Sequence, residues 1–349
     1  MVEDITVEQF VALLAKGDIT PVDVRSPGEF AEGTVPGSVN VPLFDDRERR
    51  DIGINYKQIS VDAAKELGLE IVAGKLPEFI RKMQSLPGRK AVFCWRGGMR
   101  SKASATLLSL VAGKVYRVQG GIRAYRRWVV ETLAGFEWKP PLVVLGGYTG
   151  TGKTEALRRL QRKGYPALDL EGLAGHRGSI FGGVGTSPRN QRTFEALLVH
   201  ELIRLNHSPY VLMEAESRRV GKVMMPEFLV AAKERAIQLY LEMPVEERIR
   251  NILEDYEPEK HPQECLDAFA RIERKIHTPA AREIRRAMEN GEYADAVRGL
   301  LEYYYDPRYE HTVSEYNAER ITLRVRNTED AIERIEAYIE QAYPHARSG

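Results

Sequence analysis

In the first third of the chain, short apolar runs alternate with segments of helical spacing. Ile19–Ser26 (ITPVDVRS) reads as a strand ending in a polar turn, and Gly37–Leu43 (GSVNVPL) as a second. Arg89–Cys94 (RKAVFC) and Lys114–Gly121 (KVYRVQGG) supply a third and a fourth. Val61–Ile71 and Lys75–Leu86 carry helical periodicity between them. Strands alternating with helices predict a parallel sheet covered on both faces. Phe136–Pro141 (FEWKPP) breaks the pattern, its two prolines marking a linker or a stiff lead into the next strand. A second α/β unit then begins. Its candidate strands are Leu142–Leu145, Ala167–Glu171, Tyr210–Glu216, Ala236–Met243 and Arg320–Val325, with a closing helix at Thr328–Ala342. From Val245 to Tyr305 the chain is charged and helical in pattern. There is no internal repeat and no low-complexity segment.

The 349 residues suffice for two domains with separate cores. Apolar residues at 43% and charged residues at 29% are those of an ordinary globular protein. A net charge of +1 makes any nucleic-acid surface a local patch rather than a property of the whole molecule. The N-terminal stretch MVEDITVEQF lacks the regions of a secretory signal, and no apolar run is long enough to span a membrane. Cys94 and Cys265, the only cysteines, form neither a disulfide framework nor a metal-ligand spacing. These features lead us to expect a cytoplasmic protein with reduced thiols and no membrane partner.

The stretch Gly147-Tyr148-Thr149-Gly150-Thr151-Gly152-Lys153-Thr154 matches G-x-x-x-x-G-K-[ST] at every fixed position. An apolar strand precedes it and a helical pattern, Glu155–Leu160, follows, which is the setting a phosphate-binding P-loop requires. The glycines let backbone N–H groups converge on an anion, and the helix N-terminus adds favourable partial charge. Lys153 would bridge outer phosphates, and Thr154 would hold Mg²⁺ if a nucleotide binds. The motif specifies a phosphorylated ligand and leaves ATP open. An acid ending a later strand often organises such a metal. Glu214 and Glu216 stand there, either in that role or as solvated residues closing the strand. Gly175–Gly185 (GHRGSIFGGVG) is rich in glycine for a connector and carries His176, Arg177 and Ser179. It reads as a ligand-facing loop near the phosphates or as a flexible surface loop.

Phe93–Ala103 (FCWRGGMRSKA) places Cys94 between a strand and a helical pattern. Such a loop aims backbone N–H groups and a helix dipole at one point, and Arg96 and Arg100 add positive charge. The arrangement favours thiolate and would hold an anionic sulfur, selenium or phosphate group. Cys265 sits in a helical pattern and reads as structural. Two chemistries compete at Cys94. Cys-x5-Arg-Ser is the spacing of cysteine phosphatases, and sulfurtransferases use a similar cradle to carry a terminal sulfur.

The surrounding sequence separates the two. Asp23–Leu43 (DVRSPGEFAEGTVPGSVNVPL) resembles the rhodanese signature. Val118–Val129 (VQGGIRAYRRWV) resembles the end of a rhodanese domain, where a strand turns through Gly-Gly into a helix. Many single rhodanese domains have one residue fewer between the cysteine and the loop's arginine, so the longer loop here leaves room for a larger anion or a different acceptor. A rhodanese-like domain followed by a P-loop domain, with CWRGGMRS and GGYTGTGKT in this order, resembles the tRNA 2-selenouridine synthase family. GHRGSIFG, YVLMEAESRRVG and YYYDPRYEHT (Tyr303–Thr312) fit the same resemblance. The expected fold class is α/β. A rhodanese-like parallel-sheet domain over 1–136 precedes a P-loop NTPase-like domain over 137–349, whose helical section spans about 245–318.

The resemblance implies replacement of sulfur by selenium in 2-thiouridine at the tRNA wobble position, with selenophosphate as donor and a selenophosphate-producing enzyme as a partner. It also implies an S-geranylated intermediate made from geranyl diphosphate, because an alkylated sulfur leaves as a thiol where a thiocarbonyl sulfur leaves poorly. Carried over by motif, Gly147, Thr149, Gly150, Thr151, Gly152, Lys153 and Thr154 would bind the diphosphate. Cys94 would serve selenium transfer, and Arg96 and Arg100 would cradle the donor. Gly68 stands where the family keeps a glycine, and a helix C-cap explains it equally well. For the tRNA anticodon stem-loop, Trp95 could stack an unpaired base or simply pack on its own domain. Arg126, Arg127, Arg218 and Arg219 lead the candidates for phosphate contacts, with Arg117, Arg123, Lys222 and the cluster from Arg271 to Arg286 behind them. Tyr303–Tyr305 and Tyr309 read as core or interface residues.

Overall fold

The computed structural model describes residues 1–308 and 319–344. The chain divides into two compact units, Met1–Gly135 and Phe136–Gly349.

The first unit is built on five parallel strands: β1 (Val2–Ile5), β2 (Ile19–Asp23), β3 (Val39–Asn40), β4 (Arg89–Phe93) and β5 (Val115–Val118), in the order β1-β5-β4-β2-β3. β4 is the central strand, and Ala91, Val92 and Phe93 on it are buried because helices cover both faces. β1 was not legible as a strand: only its last residue is buried, and its backbone partner, β5, lies more than a hundred residues away. Residues 61–85 form one helix rather than two. Gly74 and Pro77 interrupt the periodicity but not the helix, because Val72, Phe79 and Met83 anchor it to the core on both sides of them. Gly68 therefore lies inside a helix, and the C-cap reading is corrected; a Cβ there would lie 3.5 Å from the Phe44 ring.

The second unit holds another parallel sheet: β6 (Leu142–Gly147), β7 (Ala167–Leu168), β8 (Val211–Glu214), β11 (Ile237–Glu242) and β12 (Arg320–Arg324), in the order β12-β11-β6-β8-β7. Every residue of β6 is buried, as expected of a central parallel strand. Its neighbours β8 and β11 belong to connections that run to opposite sides, so the carboxyl end of β6 is a topological switch point, where ligands bind in open α/β sheets. A hairpin, β9 (Arg219–Val220) with β10 (Val223–Met224), follows β8. The expected strand Ala167–Glu171 stops at Leu168: Asp169 caps a short helix, Leu170–Ala174, by accepting from Gly172 N–H at 2.6 Å. Helices from Val245 to Leu300 form a layer with its own apolar core around Phe269, Ile272 and Ile284. Tyr304 is buried in that core and Tyr305 packs against it, whereas Tyr303 is exposed. Tyr309 lies outside the described residues. Among the described residues, no helix is long and apolar enough to cross a membrane.

Candidate functional site

The Cys94 loop sits at the carboxyl end of β4 and leads into the helix Met99–Ala112. Cys94 is buried, and its Sγ–H donates to Ser101 Oγ at 3.2 Å. The helix Gly121–Ala134 holds the loop from the other side, with Ile122 N–H donating to the Cys94 carbonyl (2.9 Å) and Arg123 N–H to that of Trp95 (3.1 Å). This contact requires Gly121: its φ is +58°, and a Cβ would lie 2.7 Å from Gly97 N and collide with the Cys94 carbonyl. The Gly-Gly turn noticed in the sequence thus fixes the cysteine's backbone.

Arg100 is held by Glu29, with contacts of 2.5 and 3.2 Å to its two carboxylate oxygens. Burial works against the Arg100 charge, but Glu29, with Asp23 behind it, outweighs burial and raises its pKa. Burial likewise opposes the Glu29 charge, and Arg100, the Ser26 backbone and Arg49 hold its carboxyl below the usual range. Glu29 received no role from the sequence alone, although it lies in the rhodanese-like stretch. The rest of that stretch is structural. Asp23 and Arg25 form a buried bidentate pair, Thr34 donates to Asp23 at 2.8 Å, and Arg25 reaches the Gly33 carbonyl at 2.7 Å. Arg96, Trp95 and Met99 are exposed around the cysteine. Arg117 pairs with Asp4 and donates to the Gly97 carbonyl at 3.3 Å, which makes it a brace of the loop.

The phosphate loop follows β6 and enters the helix Lys153–Arg162 through Gly152, whose φ is +69°. Lys153 Nζ donates to the carbonyls of Gly147 (2.8 Å) and Tyr148 (3.0 Å). Thr151 is buried and donates to Tyr148 O. Two residues of the helix Val245–Tyr256 support the loop from outside. Arg248 donates to the Thr149 carbonyl (2.8 Å) and grips Asp306 at 2.9 and 2.6 Å, while Asn251 donates to the Gly150 carbonyl (2.8 Å).

The acid that touches Thr154 is neither Glu214 nor Glu216. Thr154 Oγ1 donates to Glu171 at 3.0 Å. Burial, then the neighbouring Glu216, pushes the Glu171 carboxyl up to about 8. Glu216 is itself hydrogen-bonded to Glu171 and raised, chiefly by burial, against the pull of Lys153 and Lys233. Glu214 accepts from Leu170 N–H at 3.0 Å, and its other oxygen is buried with no hydrogen-bond partner among the described residues. Burial and the acids around it raise its pKa. Glu214, at the end of β8, and Glu216, just beyond it, therefore lie beside Glu171 and not against Thr154. Glu171 was hidden because its segment reads as strand, whereas the helix capped by Asp169 turns its carboxylate back toward the phosphate loop.

The glycine-rich segment divides its candidates. His176 is packed between Gly182 and Gly221, and burial, with Arg177 and Lys222 nearby, lowers its pKa. Arg177 is a staple: it donates to the carbonyls of Val184 (2.7 Å) and Asp255 (2.5 Å) and stacks on the Tyr256 ring. Ser179 Oγ lies 2.9 Å from Tyr256 OH, and Phe181 and Val184 join the helical core. The segment thus ties the helical layer to the sheet. Beside the phosphate loop, and starting at Thr149, lies an apolar cleft walled by Ile252, Tyr256, Met288, Ala296, Leu301 and others of the helical layer. Cys265 is in that wall, and burial pushes its thiol up to about 11, as suits a structural cysteine.

The RNA candidates fall on both units. Arg126 and Arg127 lie on the helix that braces the Cys94 loop. Arg218 pairs with Glu227, and Arg219 donates to the Gly221 carbonyl in the hairpin beside His176. Arg285, from the cluster between Arg271 and Arg286, is bound by Glu273.

The folds and their two loops define a rhodanese-like domain joined to a P-loop domain. Residues 6–127 match the rhodanese-like domain, and residues 140–342 match the family described as the tRNA 2-selenouridine synthase AAA domain. A tRNA 2-selenouridine synthase of Sulfurovum sp. is 33% identical, covering 92% of this chain and 94% of that protein. One from Nitrosomonas europaea is 31% identical over 93% and 86% of the two chains. One from Bdellovibrio bacteriovorus is 32% identical over 85% and 89%. The chain belongs to the tRNA 2-selenouridine synthase family.

Proposed function

We propose that this chain converts 2-thiouridine at the tRNA wobble position into 2-selenouridine in two steps, one for each loop. In the first, the thiocarbonyl sulfur attacks C1 of geranyl diphosphate. The C1–O bond breaks, the diphosphate leaves, and the nucleobase loses its N3 proton to solvent. In the second, selenium of selenophosphate attacks C2 and expels geranyl thiol, and water then cleaves the Se–P bond, releasing phosphate and leaving 2-selenouridine with its N3 proton restored.

The observation that carries this reading is the apolar cleft beginning at Thr149 of the phosphate loop. A ligand with an anionic head on the loop and a hydrocarbon tail in the cleft fits both surfaces, since apolar walls gain from burying an apolar tail. Lys153 and the loop N–H groups neutralise and orient the leaving diphosphate. Thr154 and Glu171 are the residues that would hold Mg²⁺, which favours one or two protein oxygens plus substrate phosphates. When bound, that ion would offset charge on the diphosphate. The raised pKa of Glu171 fits such a place, because a cation there would relieve the crowding of Glu171 and Glu216. Cys94 acts in the second step, beside Arg96 and an Arg100 oriented by Glu29. Exposed Trp95 and the arginines of both units supply contacts to the anticodon stem-loop.

The test incubates a 2-thiouridine anticodon stem-loop with the protein, geranyl diphosphate and selenophosphate, followed by nucleoside mass spectrometry. The reading predicts 2-selenouridine that depends on both reagents. Selenouridine formed equally well without geranyl diphosphate would refute the first step.

A further inference from the structure

We infer that the helical layer measures the tail of the diphosphate substrate, admitting two isoprene units and stopping at Tyr293 and Met288. This rests on the prenyl-diphosphate reading above and assigns its size limit to particular residues. The cleft is walled along its length by one continuous helical run. Tyr293, Ala296, Val297, Leu300, Leu301 and Tyr305 recur at helical spacing on a single face. The phosphate end of this run is fixed by Arg248, which bonds both the Thr149 carbonyl and Asp306, the residue after Tyr305. The helix Val245–Tyr256 has the same polarity. Arg248 and Asn251 hold the loop, Ile252 contributes to the cleft next, and Tyr256 lies a turn further on. Tyr293 is thus the end remote from the phosphates.

Twelve residues separate Tyr305 from Tyr293, about 18 Å at 1.5 Å per residue. Each isoprene unit adds four chain bonds, roughly 5 Å when extended, from C–C bonds of about 1.5 Å. One unit is therefore close to one helical turn. A tail that starts beside Leu301 and Tyr305 lays its first unit there, and its second along Val297 and Leu300. Its tip comes to Ala296, the smallest of the six side chains on this face. A third unit would need the space held by half-buried Tyr293 and buried Met288, which face Cys265 in the same wall. Met288 belongs to the packed core of the helical layer, so its side of the stop resists displacement.

The experiment measures binding of dimethylallyl, geranyl and farnesyl diphosphates to the full chain by calorimetry, with circular dichroism as the check on folding. The wild type is expected to bind geranyl diphosphate at least tenfold more tightly than either neighbour. Met288→Ala and Tyr293→Ala should each raise the affinity for farnesyl diphosphate relative to geranyl diphosphate at least tenfold. Ala296→Phe should weaken geranyl diphosphate by a similar factor and leave dimethylallyl diphosphate unchanged. If the wild type prefers geranyl diphosphate and the folded variants keep its ranking, the assignment of the stop is wrong while the prenyl reading stands. If the wild type binds inorganic diphosphate as tightly as all three prenyl esters, the prenyl reading itself fails.

Discussion

Gly121→Ala is the substitution whose effect the Cys94 loop determines most directly. The residue has φ +58°, so a side chain pays the left-handed penalty of about 1 kcal/mol. Its Cβ would stand 2.7 Å from Gly97 N and still nearer the Cys94 carbonyl, both backbone atoms that cannot rotate away. The helix must therefore back off, which breaks the bonds from Ile122 N–H to Cys94 O and from Arg123 N–H to Trp95 O. At about 1 kcal/mol each, these bring the expected loss in the first unit to about 3 kcal/mol. Gly17→Ala is the control. It closes the first helix of the same unit with φ +70°, and nothing lies within 4 Å of its Cβ, so only the backbone penalty of about 1 kcal/mol applies. The assay is urea unfolding of the full chain, with alkylation of Cys94 as the local probe. Gly121→Ala should unfold the first unit at lower urea and expose Cys94 to alkylation much earlier than Gly17→Ala does. Equal losses at the two positions would refute the claim that contact with the cysteine's backbone sets the cost.

Other consequences follow for both units. Glu171 keeps a proton in the folded chain up to about pH 8, whereas its ordinary value is 4.5. The folded state therefore binds more protons across that window, and stability falls as pH rises through it. Urea midpoints of the second unit should drop from pH 5 to 8.5 in wild type and more shallowly in Glu171→Gln; parallel slopes would count against the buried acid pair. Arg248→Met removes a buried guanidinium that serves Thr149 O and Asp306. Because Asp306 keeps some solvent, the expected loss is about 2–3 kcal/mol, below the usual range for a fully buried pair, with weaker binding of inorganic diphosphate by calorimetry. Arg100→Lys loses the two-pronged contact with Glu29 and should slow selenium incorporation at least tenfold while leaving S-geranylation intact, as read by nucleoside mass spectrometry.

Both loops were legible in the sequence because each compresses its function into a short contiguous stretch. The strand, the glycines, the cysteine or lysine and the following helix come in order, and nothing distant is needed to recognise them. The fold class was legible for a similar reason, since parallel strands buried on both faces read as apolar runs. What escaped was the support that arrives from elsewhere in the chain. Glu29 reaches Arg100 across seventy-one positions, and Arg248 reaches Thr149 across ninety-nine. Neither pairing leaves a local pattern. Glu171 was missed through a wrong element: ALDLE has the composition of a strand, but Asp169 turns it into a helix. The cleft could not be read at all, because its wall joins residues spread from Thr149 to Tyr305 that become neighbours only when the helical layer folds onto the loop.

The most direct test of the division of labour compares Lys153→Ala with Cys94→Ala on two stem-loops, one carrying 2-thiouridine and one already S-geranylated. Both reagents are supplied, and the products are weighed as nucleosides. The account predicts that Cys94→Ala accumulates S-geranyl-2-thiouridine from the first stem-loop and makes no selenouridine from either. It predicts that Lys153→Ala leaves the first stem-loop unchanged and converts the second to 2-selenouridine. Selenouridine from Cys94→Ala, or failure of Lys153→Ala on the geranylated stem-loop, would contradict the assignment of one step to each loop.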